Sequence, residues 1–186
     1  NVMHDKTMSA RAYYIPASVR MNDLVEYRER SDRFQLLNGE WKFRYYSSIY
    51  DVTESFYEKG YDVSGFDQVT VPGVWQMDGY DTHQYTNIRY PFPFDPPYVP
   101  QDIPCGAYVH NFEYHREKKA SKAFLNFEGV DSCFYVWVNG AYAGYSQVPH
   151  ATSEFDVTDL LNEGENTLAV LVLKWCDGSY LEDQDK

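Results

Sequence analysis

The stretch CFYVWVNGAYAGYS, residues 133–146, consists of two runs of aromatic and small apolar residues separated by Asn139 and Gly140. An Asn-Gly pair between such runs is the strongest short-range signal for a β-hairpin, because both turn residues tolerate a positive φ. The stretch therefore predicts two antiparallel strands joined by a tight turn, and it points to a β-rich fold.

Other strand-like runs lie on both sides of this hairpin at short spacing. Upstream, a second Asn-Gly pair opens the alternating run WKFRY, and the alternating run FDQVTV stops at Pro72, which cannot donate to a ladder. Short strands with regular turns and almost no helical period are typical of an antiparallel β-sandwich, so the predicted fold class is all-β. The remaining predicted strands are AYVHNFEY at 107–114, AFLNFEGV at 123–130 and NTLAVLVLKW at 166–175.

Three segments do not follow a strand pattern. Residues 1–35 are polar and charged, and they predict an extended arm with a short helix near residues 24–30. TSEFDVTDLLNEGEN, residues 152–166, predicts a connector containing one short helical turn. PFPFDPPYVPQDIP, residues 91–104, holds six prolines and predicts an ordered surface loop.

Charge and composition limit the classes of partner. The 186-residue chain carries a formal net charge of −12 and a sequence pI near 4.7, so its field repels phosphate backbones and anionic lipid. No apolar run reaches the ~20 residues that a membrane span needs. We therefore expect neither a nucleic-acid nor a membrane partner, whereas a neutral, tyrosine-rich contact such as a sugar fits 18 tyrosines.

Three cysteines, Cys105, Cys133 and Cys176, lie in no metal-binding spacing, and their odd number excludes a complete disulfide framework. We interpret them as buried free thiols. Residues 1–10 lack the apolar core of a signal peptide. Together these features predict a cytoplasmic protein.

The sequence offers little for catalysis or cofactor binding. It contains no GxSxG, GxxxxGK[ST] or GxGxxG motif. His110 and His115 are five residues apart on a predicted strand, which places them on opposite faces, and His83 and His150 are expected to be ordinary loop residues. From the residues alone, a binding module is favoured over an enzyme.

The aromatic loop, residues 73–92, resembles a known family when it is read together with its surroundings. VPGVWQMDGYDTHQYTNIRYPF followed by PPYVPQDIPCGAY is similar to the first domain of bacterial β-galactosidases of glycoside hydrolase family 2. LNGEWKFRYY, the VNG hairpin and SEFDVTDLLNEGENTLAVLVLKWCDGSYLEDQD extend the resemblance, in order, over residues 37–185. Each motif alone is weak, but WQMxGYD, YTNxxYP and DGSYLEDQD together are specific.

The resemblance implies a jelly-roll sandwich of the galactose-binding-domain type at residues 36–186, preceded by the arm at 1–35 and carrying long ordered loops. It further implies that the two catalytic glutamates belong to a (β/α)8 barrel outside this chain, so no catalytic residue is expected here. The implied activity is hydrolysis of terminal β-D-galactosides such as lactose by the whole enzyme. Packing on the barrel and a homo-oligomer are the implied protein contacts.

The same resemblance assigns substrate-binding roles by position. Asn87, in YTNxxYP, would hydrogen-bond the galactosyl unit, and Ile88 would line the apolar side of that subsite. Asp185, the last aspartate of LEDQD, would ligate a sodium ion that touches the sugar. The intact enzyme would also use magnesium, whereas the isolated domain would need no cofactor.

The resemblance also suggests what the aromatic loop does. Its rings would fix the segment that aims Asn87, and their outer faces would bury against the barrel; they are Trp75, Met77, Tyr80, Tyr85, Tyr90 and Phe92. The isolated domain would then expose an apolar patch and self-associate at high concentration. The sequence departs from the family pattern at His83, where relatives often have proline, and at Val148, Pro149 and His150.

Two alternatives stay open at this point. A stand-alone jelly-roll sugar-binding module would require stacking aromatic rings on an exposed face. The same sandwich also occurs in β-glucuronidases and β-mannosidases, although these lack the TNxxYPF and PPxVPxxxPxGxY patterns seen here. Galactoside is therefore the preferred substrate class.

Overall fold

The computed structural model describes residues 14–82 and 89–181, and within these ranges the chain forms eight β-strands and three short 3₁₀ helices without an α-helix. None of the described helices has the length and apolar character that a membrane span requires. The 3₁₀ helices are Arg28–Arg30, Ile49–Asp51 and Asp177–Leu181. The strands are β1 Gly39–Tyr46, β2 Asp67–Val71, β3 Cys105–Tyr114, β4 Phe124–Phe127, β5 Cys133–Val138, β6 Ala141–Gln147, β7 Ser153–Asp156 and β8 Gly164–Leu173.

The strands form two antiparallel sheets of unequal size. Six strands make the larger sheet, in the order β2-β1-β3-β8-β5-β6, and β4 pairs with β7 to make the smaller one. The smaller sheet packs over part of one face of the larger sheet through Phe155, which is fully buried against Phe134. The predicted all-β antiparallel sandwich of the jelly-roll type is therefore confirmed.

Strand β8 lies at the centre of the larger sheet and is buried on both faces. Leu168, Val170 and Val172 face the first core, beneath the smaller sheet. The alternate residues Ala169, Leu171 and Leu173 face a second core, which the loop at residues 47–66 covers with Phe56 and Phe66. Because both faces are covered, NTLAVLVLKW is an almost continuous apolar run.

The predicted hairpin is confirmed at β5 and β6. Asn139 and Gly140 form its turn with φ values of 53° and 83°, the left-handed conformation that this residue pair accommodates. The Asn139 side chain then reaches across to β8: its Oδ1 accepts the Thr167 N–H at 3.0 Å and its Nδ2 donates to Asn166 Oδ1 at 2.8 Å. The turn is thus bonded to the central strand as well as to its own hairpin.

Asn166 is buried and satisfies every polar atom of its side chain. Its Oδ1 also accepts the Asn162 N–H at 2.8 Å, and its Nδ2 donates to the carbonyl oxygens of Asn162 and Gly164 at 2.9 and 2.8 Å. These bonds hold the connector that enters β8 against the hairpin turn. A buried polar network of this kind is stabilising only when complete.

Two local predictions are wrong. The predicted connector at 152–166 contains a true strand, β7, in which Ser153 and Phe155 are buried and alternate with Glu154 and Asp156. Its predicted helical turn is present just afterwards, where the Leu161 N–H donates to the Val157 carbonyl at 3.2 Å. The short helix expected near residues 24–30 is reduced to a single 3₁₀ turn at Arg28–Arg30, which buries no side chain against which a longer helix could pack.

The part of the arm from residue 14 onward is held by polar contacts. Arg28 pairs with Glu128 after β4, and Arg33 pairs with Glu117 at 3.2 Å. The Gln35 amide donates to the Glu113 carbonyl at the end of β3 at 2.9 Å. This segment therefore runs along the open side of the smaller sheet.

The loop over the second core is anchored by a carboxylate cluster. Glu54 Oε1 accepts hydrogen bonds from the Tyr46 hydroxyl at 2.5 Å and from Arg44 Nη1 at 2.9 Å, and the Arg44 guanidinium also lies over the Phe66 ring. The Tyr46 hydrogen bond, aided by Arg44, lowers the pKa of Glu54 to about 2 against the opposing effect of burial. Glu54 is therefore a structural carboxylate.

Replacing Asn166 with alanine should lower the free energy of unfolding by about 3 kcal/mol, because buried backbone groups of the connector lose their partners. Chemical denaturation with urea measures this directly. Asn111→Ala is the matched control, since Asn111 is exposed on neighbouring β3 and bonds only the Thr167 hydroxyl among its printed partners; it should cost less than about 1 kcal/mol. Equal losses in the two variants would contradict the assigned role.

Glu54→Gln should reduce stability at pH 7 by about 1–2 kcal/mol and flatten the acid limb of the stability curve. The folded pKa of Glu54 lies below its ordinary value of 4.5, so its contribution is complete above pH 4.5 and is lost as the pH falls toward 2. Urea unfolding at several pH values tests this. Glu58→Gln, an exposed change in the same loop, should leave the acid limb unchanged.

Candidate functional site

The candidate site is the end of the sandwich where β8 leaves the sheet. The chain continues there as the exit segment, residues 174–181, which ends in the 3₁₀ helix Asp177–Leu181. The predicted site residue Asp185 follows it, and the loops that precede β3 pack against it. The exit segment therefore links the two stretches of sequence to which binding roles were assigned.

Tyr180 fastens the proline-rich loop, residues 91–104, to the exit segment. Its hydroxyl accepts the Asp95 N–H at 3.1 Å and donates to the Tyr98 carbonyl at 2.5 Å. In return, the Tyr90 hydroxyl donates to the Tyr180 carbonyl at 2.8 Å. The prediction of an ordered surface loop is confirmed, and these bonds explain the order of a segment without strands.

An aromatic cluster closes the same contact. Phe92 lies edge-on to Trp175 with ring centroids 5.0 Å apart and to Tyr180 at 5.3 Å. Tyr90 and Phe94 contact the Tyr180 ring at 5.4 and 5.5 Å. Aromatic pairs at these separations add about 0.5–1.5 kcal/mol each beyond their burial.

An ion pair anchors the other side of the aromatic loop. Lys174 Nζ bonds the Asp81 carboxylate, and the two side chains are only 10% and 14% exposed. Lys174 also lies over the Trp175 ring, and its backbone N–H donates to the Pro104 carbonyl at 2.9 Å. A shielded charge pair of this kind is held firmly, because neither partner can be left alone without a desolvation cost.

The first half of the aromatic loop is built on the sheet. Trp75 is buried against Phe43, and Gly106 in β3 makes room for this contact, since a Cβ there would lie 2.5 Å from Phe43 and 2.8 Å from Trp75. The Tyr80 hydroxyl donates to Asp67 at 2.7 Å, and this bond raises the pKa of Tyr80 to about 12. The inner faces of the loop are therefore fixed.

The outer side of this end exposes large apolar groups. They belong to three segments that the Lys174 and Tyr180 contacts hold together. Their exposed fractions are 57% for Val74, 75% for Met77, 68% for Phe94, 72% for Tyr98 and 91% for Leu181. Met77 was expected to help fix the loop, but it points outward, so its only available role is contact with something outside the described chain.

The three predicted site residues, Asn87, Ile88 and Asp185, lie outside the described residues, as do His83 and Tyr85. The structure does place the flanks of their segments. Asp81 and Tyr90, on either side of 83–88, both bond the exit segment, and Leu181 is the last described residue before Asp185. The described residues thus bring the approaches to both segments to one end of the fold.

The other candidate groups have structural partners. His110 stacks on Trp41 with ring centroids 4.8 Å apart, and burial lowers the pKa of His110; His115 bonds Glu163 at 2.9 Å. Residues 14–82 and 89–181 contain no cluster of three or more histidine, cysteine or carboxylate side chains able to hold a metal. Cys105, Cys133 and Cys176 are buried and free, as predicted.

Sequence reasoning missed the Lys174–Asp81 pair and the role of Tyr180. The only local signal for Lys174 is a single cation directly after the apolar run of β8. Nothing in the spacing indicates that its partner lies 93 residues earlier. Tyr180 belongs to the DGSYLEDQD motif, but the motif does not reveal that its hydroxyl bonds the proline-rich loop.

Comparison with known proteins adds an independent observation. A family described as glycosyl hydrolases family 2, sugar binding domain, matches residues 34–186. Proteins named beta-galactosidase are 50% identical over 186 residues in Actinobacillus pleuropneumoniae and 46% identical over 185 residues in Staphylococcus xylosus. These alignments cover 100% and 99% of this chain, but the chain spans only 18% of the length of either relative.

Solved structures share the fold at lower identity. A β-glucuronidase from Ruminococcus gnavus in complex with D-glucuronic acid superposes with a TM-score of 0.55 at 18% identity, covering 75% of this chain and 21% of that one. The β-glucuronidase of Bifidobacterium dentium gives 0.53 at 23% identity, covering 74% and 19%. At these identities the likeness concerns the fold only.

Removing either partner of the Lys174–Asp81 pair should cost about 2 kcal/mol of unfolding free energy, because the remaining charge stays shielded from water. Lys174→Met, Asp81→Asn and the double variant, unfolded in urea, form the double-mutant cycle that measures it. The double variant should lose less than the sum of the single variants.

The matched control is the Lys122–Asp156 pair, whose side chains are 59% and 34% exposed. The corresponding cycle with Lys122→Met and Asp156→Asn should give a coupling below about 1 kcal/mol. Purely additive losses at Lys174 and Asp81 would contradict the anchoring role of the pair.

Proposed function

The chain belongs to the sugar-binding domains of glycoside hydrolase family 2, and from this premise we propose that it is the first, non-catalytic domain of a retaining β-galactosidase. The observation that carries the proposal is the 50% identity along the whole chain to a protein named beta-galactosidase, of which the chain spans 18%. The family match covers the sandwich and the exit segment together. The proposed activity of the whole enzyme is hydrolysis of terminal β-D-galactosides.

The proposed task of this domain is to complete the sugar subsite. A neutral sugar offers no charge to bind, so affinity depends on convergent hydrogen bonds to hydroxyl groups, including bonds that strengthen in the oxocarbenium-like transition state. The Asn87 amide can both donate and accept such bonds. Ile88 would give the subsite an apolar side, and the two catalytic glutamates would be supplied by the barrel outside this chain.

Asp185 is proposed to ligate a sodium ion at this subsite. A carboxylate oxygen suits a hard cation, and the net charge of −12 favours cations near the domain. Because the described residues hold no metal-binding cluster, the other sodium ligands and any magnesium site would lie outside them. Bound sodium would supply a fixed positive charge for sugar oxygens, while Asp185 would position it.

The outer apolar groups of the aromatic and proline-rich loops are proposed to pack on the catalytic barrel. Val74, Met77 and Phe94 are more than half exposed here, which is unusual for large apolar residues outside a contact surface. Burial in the intact enzyme would remove this exposure and hold Asn87 toward the substrate. The isolated chain would self-associate through the same groups. We further propose a cytoplasmic location, which suits three free thiols.

The test is a complementation titration with a chromogenic β-galactoside. The remainder of the same protein, lacking residues 1–186, should hydrolyse the substrate poorly and recover activity when this chain is added. Asn87→Ala should lower kcat/KM of the complex by about 10- to 100-fold, the effect of losing one or two substrate hydrogen bonds. Asn111→Ala, on exposed β3, should restore activity as well as the unchanged chain does.

The other outcomes identify the alternatives. Failure to restore activity, together with binding of galactose by the chain alone, would indicate a stand-alone sugar-binding module. Restored hydrolysis of a β-glucuronide or β-mannoside instead of the galactoside would keep the family and change the substrate.

A further inference from the structure

We propose that Cys133 and Cys176 form a reversible redox site, in which a two-electron oxidant such as a peroxide converts the two thiols into a disulfide that fastens the exit segment to β5. Neither the family match nor the proposed glycosidase function implies this site. The inference depends on the packing around the two thiols and stands whether or not the chain serves a β-galactosidase.

The backbone around the two cysteines is held together by several hydrogen bonds. Next to Cys133, the Ser132 N–H donates to the Leu173 carbonyl at 3.1 Å, and Ser132 Oγ lies 3.0 Å from the Lys174 carbonyl oxygen. Ser132 Oγ also accepts from Ser179 Oγ at 3.2 Å, and Ser179 Oγ in turn accepts the Cys176 N–H at 3.2 Å. The start of β5 and the exit segment are thus fixed against each other.

The two thiols are themselves hydrogen-bonded within this frame. Cys133 is 2% exposed and Cys176 is 7% exposed, and both belong to the second core. Their sulfur atoms contact each other directly. Gly178 permits this arrangement, because a Cβ at that position would lie 3.3 Å from Cys176 Sγ and 3.5 Å from the Gln147 side chain.

The environment gives the two sulfurs different reactivity. The hydrogen bond from the Cys133 thiol lowers the pKa of Cys176 against the effect of burial, and the backbone N–H groups of Gly178 and Ser179 lower it further. The same bond and burial raise the pKa of Cys133. Cys176 is therefore the attacking thiolate and Cys133 the resolving thiol.

The chemistry balances with peroxide as the only co-reactant. The Cys176 thiolate attacks one peroxide oxygen, the O–O bond breaks, and the hydroxide that leaves takes a proton to become water. The sulfur of Cys133 then attacks the sulfenic sulfur of Cys176, the S–O bond breaks, and a second water leaves with the Cys133 proton. Two thiols lose two electrons in total, and peroxide is reduced to two waters.

Cys105 provides an internal control. It pairs with Leu173 from β3, while Cys133 pairs with the same Leu173 from β5. The two cysteines are therefore two strand spacings apart, about 9.5 Å, beyond the ~7 Å Cα separation that a disulfide tolerates. Burial also raises the pKa of Cys105 to about 12, so this thiol should stay inert.

The experiment treats the 186-residue chain with graded hydrogen peroxide, quenches it, and counts thiols after denaturation. The count should fall from three to one, non-reducing peptide mapping should join the Cys133 and Cys176 peptides, and dithiothreitol should reverse both changes. Because the bond closes the 133–176 loop, Tm should rise by about 5–10 °C on oxidation.

Variants separate the roles of the three thiols. Cys105→Ala should form the same bond at the same rate, falling from two thiols to none. In Cys133→Ala the sulfenic acid of Cys176 should persist and react with dimedone, whereas Cys176→Ala should leave Cys133 unlabelled. Melting curves under reducing conditions verify that each variant is folded.

Two results would overturn the proposal. The first is a thiol count that stays at three at peroxide concentrations that oxidise free cysteine. The second is a linked peptide that contains Cys105. Both are read from the unchanged chain, so they do not depend on any variant folding.

Discussion

The burial of β8 on both faces is the constraint on which the other elements depend. Leu168, Val170 and Val172 fill one core while Ala169, Leu171 and Leu173 fill the other, so each residue has a required side. A slip of one residue would exchange the two sets and bring large side chains to positions shaped for small ones. The pairing of β3 and β5 with β8 is fixed by the same requirement, and the hairpin and the smaller sheet follow from it.

The position of the candidate site is a consequence of this register. Because β8 ends at Leu173, the next residues emerge at one end of the sandwich, where Lys174, Trp175 and Tyr180 meet the loops that precede β3. Those loops contain no regular ladder, and their order comes from hydrogen bonds and ring contacts with the exit segment. The central strand therefore positions irregular segments that could not position themselves.

The sequence predicted the fold where local patterns express it. The Asn139-Gly140 turn and the alternation in β1 and β2 depend on neighbours a few residues apart, and each was readable. Strand β7 was missed because its four residues lie between turn-forming residues, so its identity depends on pairing with β4. The Lys174–Asp81 pair was invisible for the same reason, since only the folded chain brings the two together. Asn87, Ile88 and Asp185 came from motif resemblance, because an amide, an aliphatic side chain and a carboxylate are not distinctive in themselves.

The exit segment joins three separate contacts within seven residues. Lys174 neutralises a shielded carboxylate, Cys176 contacts a thiol at the start of β5, and Tyr180 bonds the proline-rich loop. Each contact has a different chemistry, so charge removal, oxidation and loss of a hydroxyl act on one segment by independent routes. In a domain whose proposed task is to hold side chains toward a neutral sugar, a shift of about 1 Å in that segment would matter more than a small loss of global stability. The concentration of contacts there, away from the largest apolar core, is therefore what a positioning role requires.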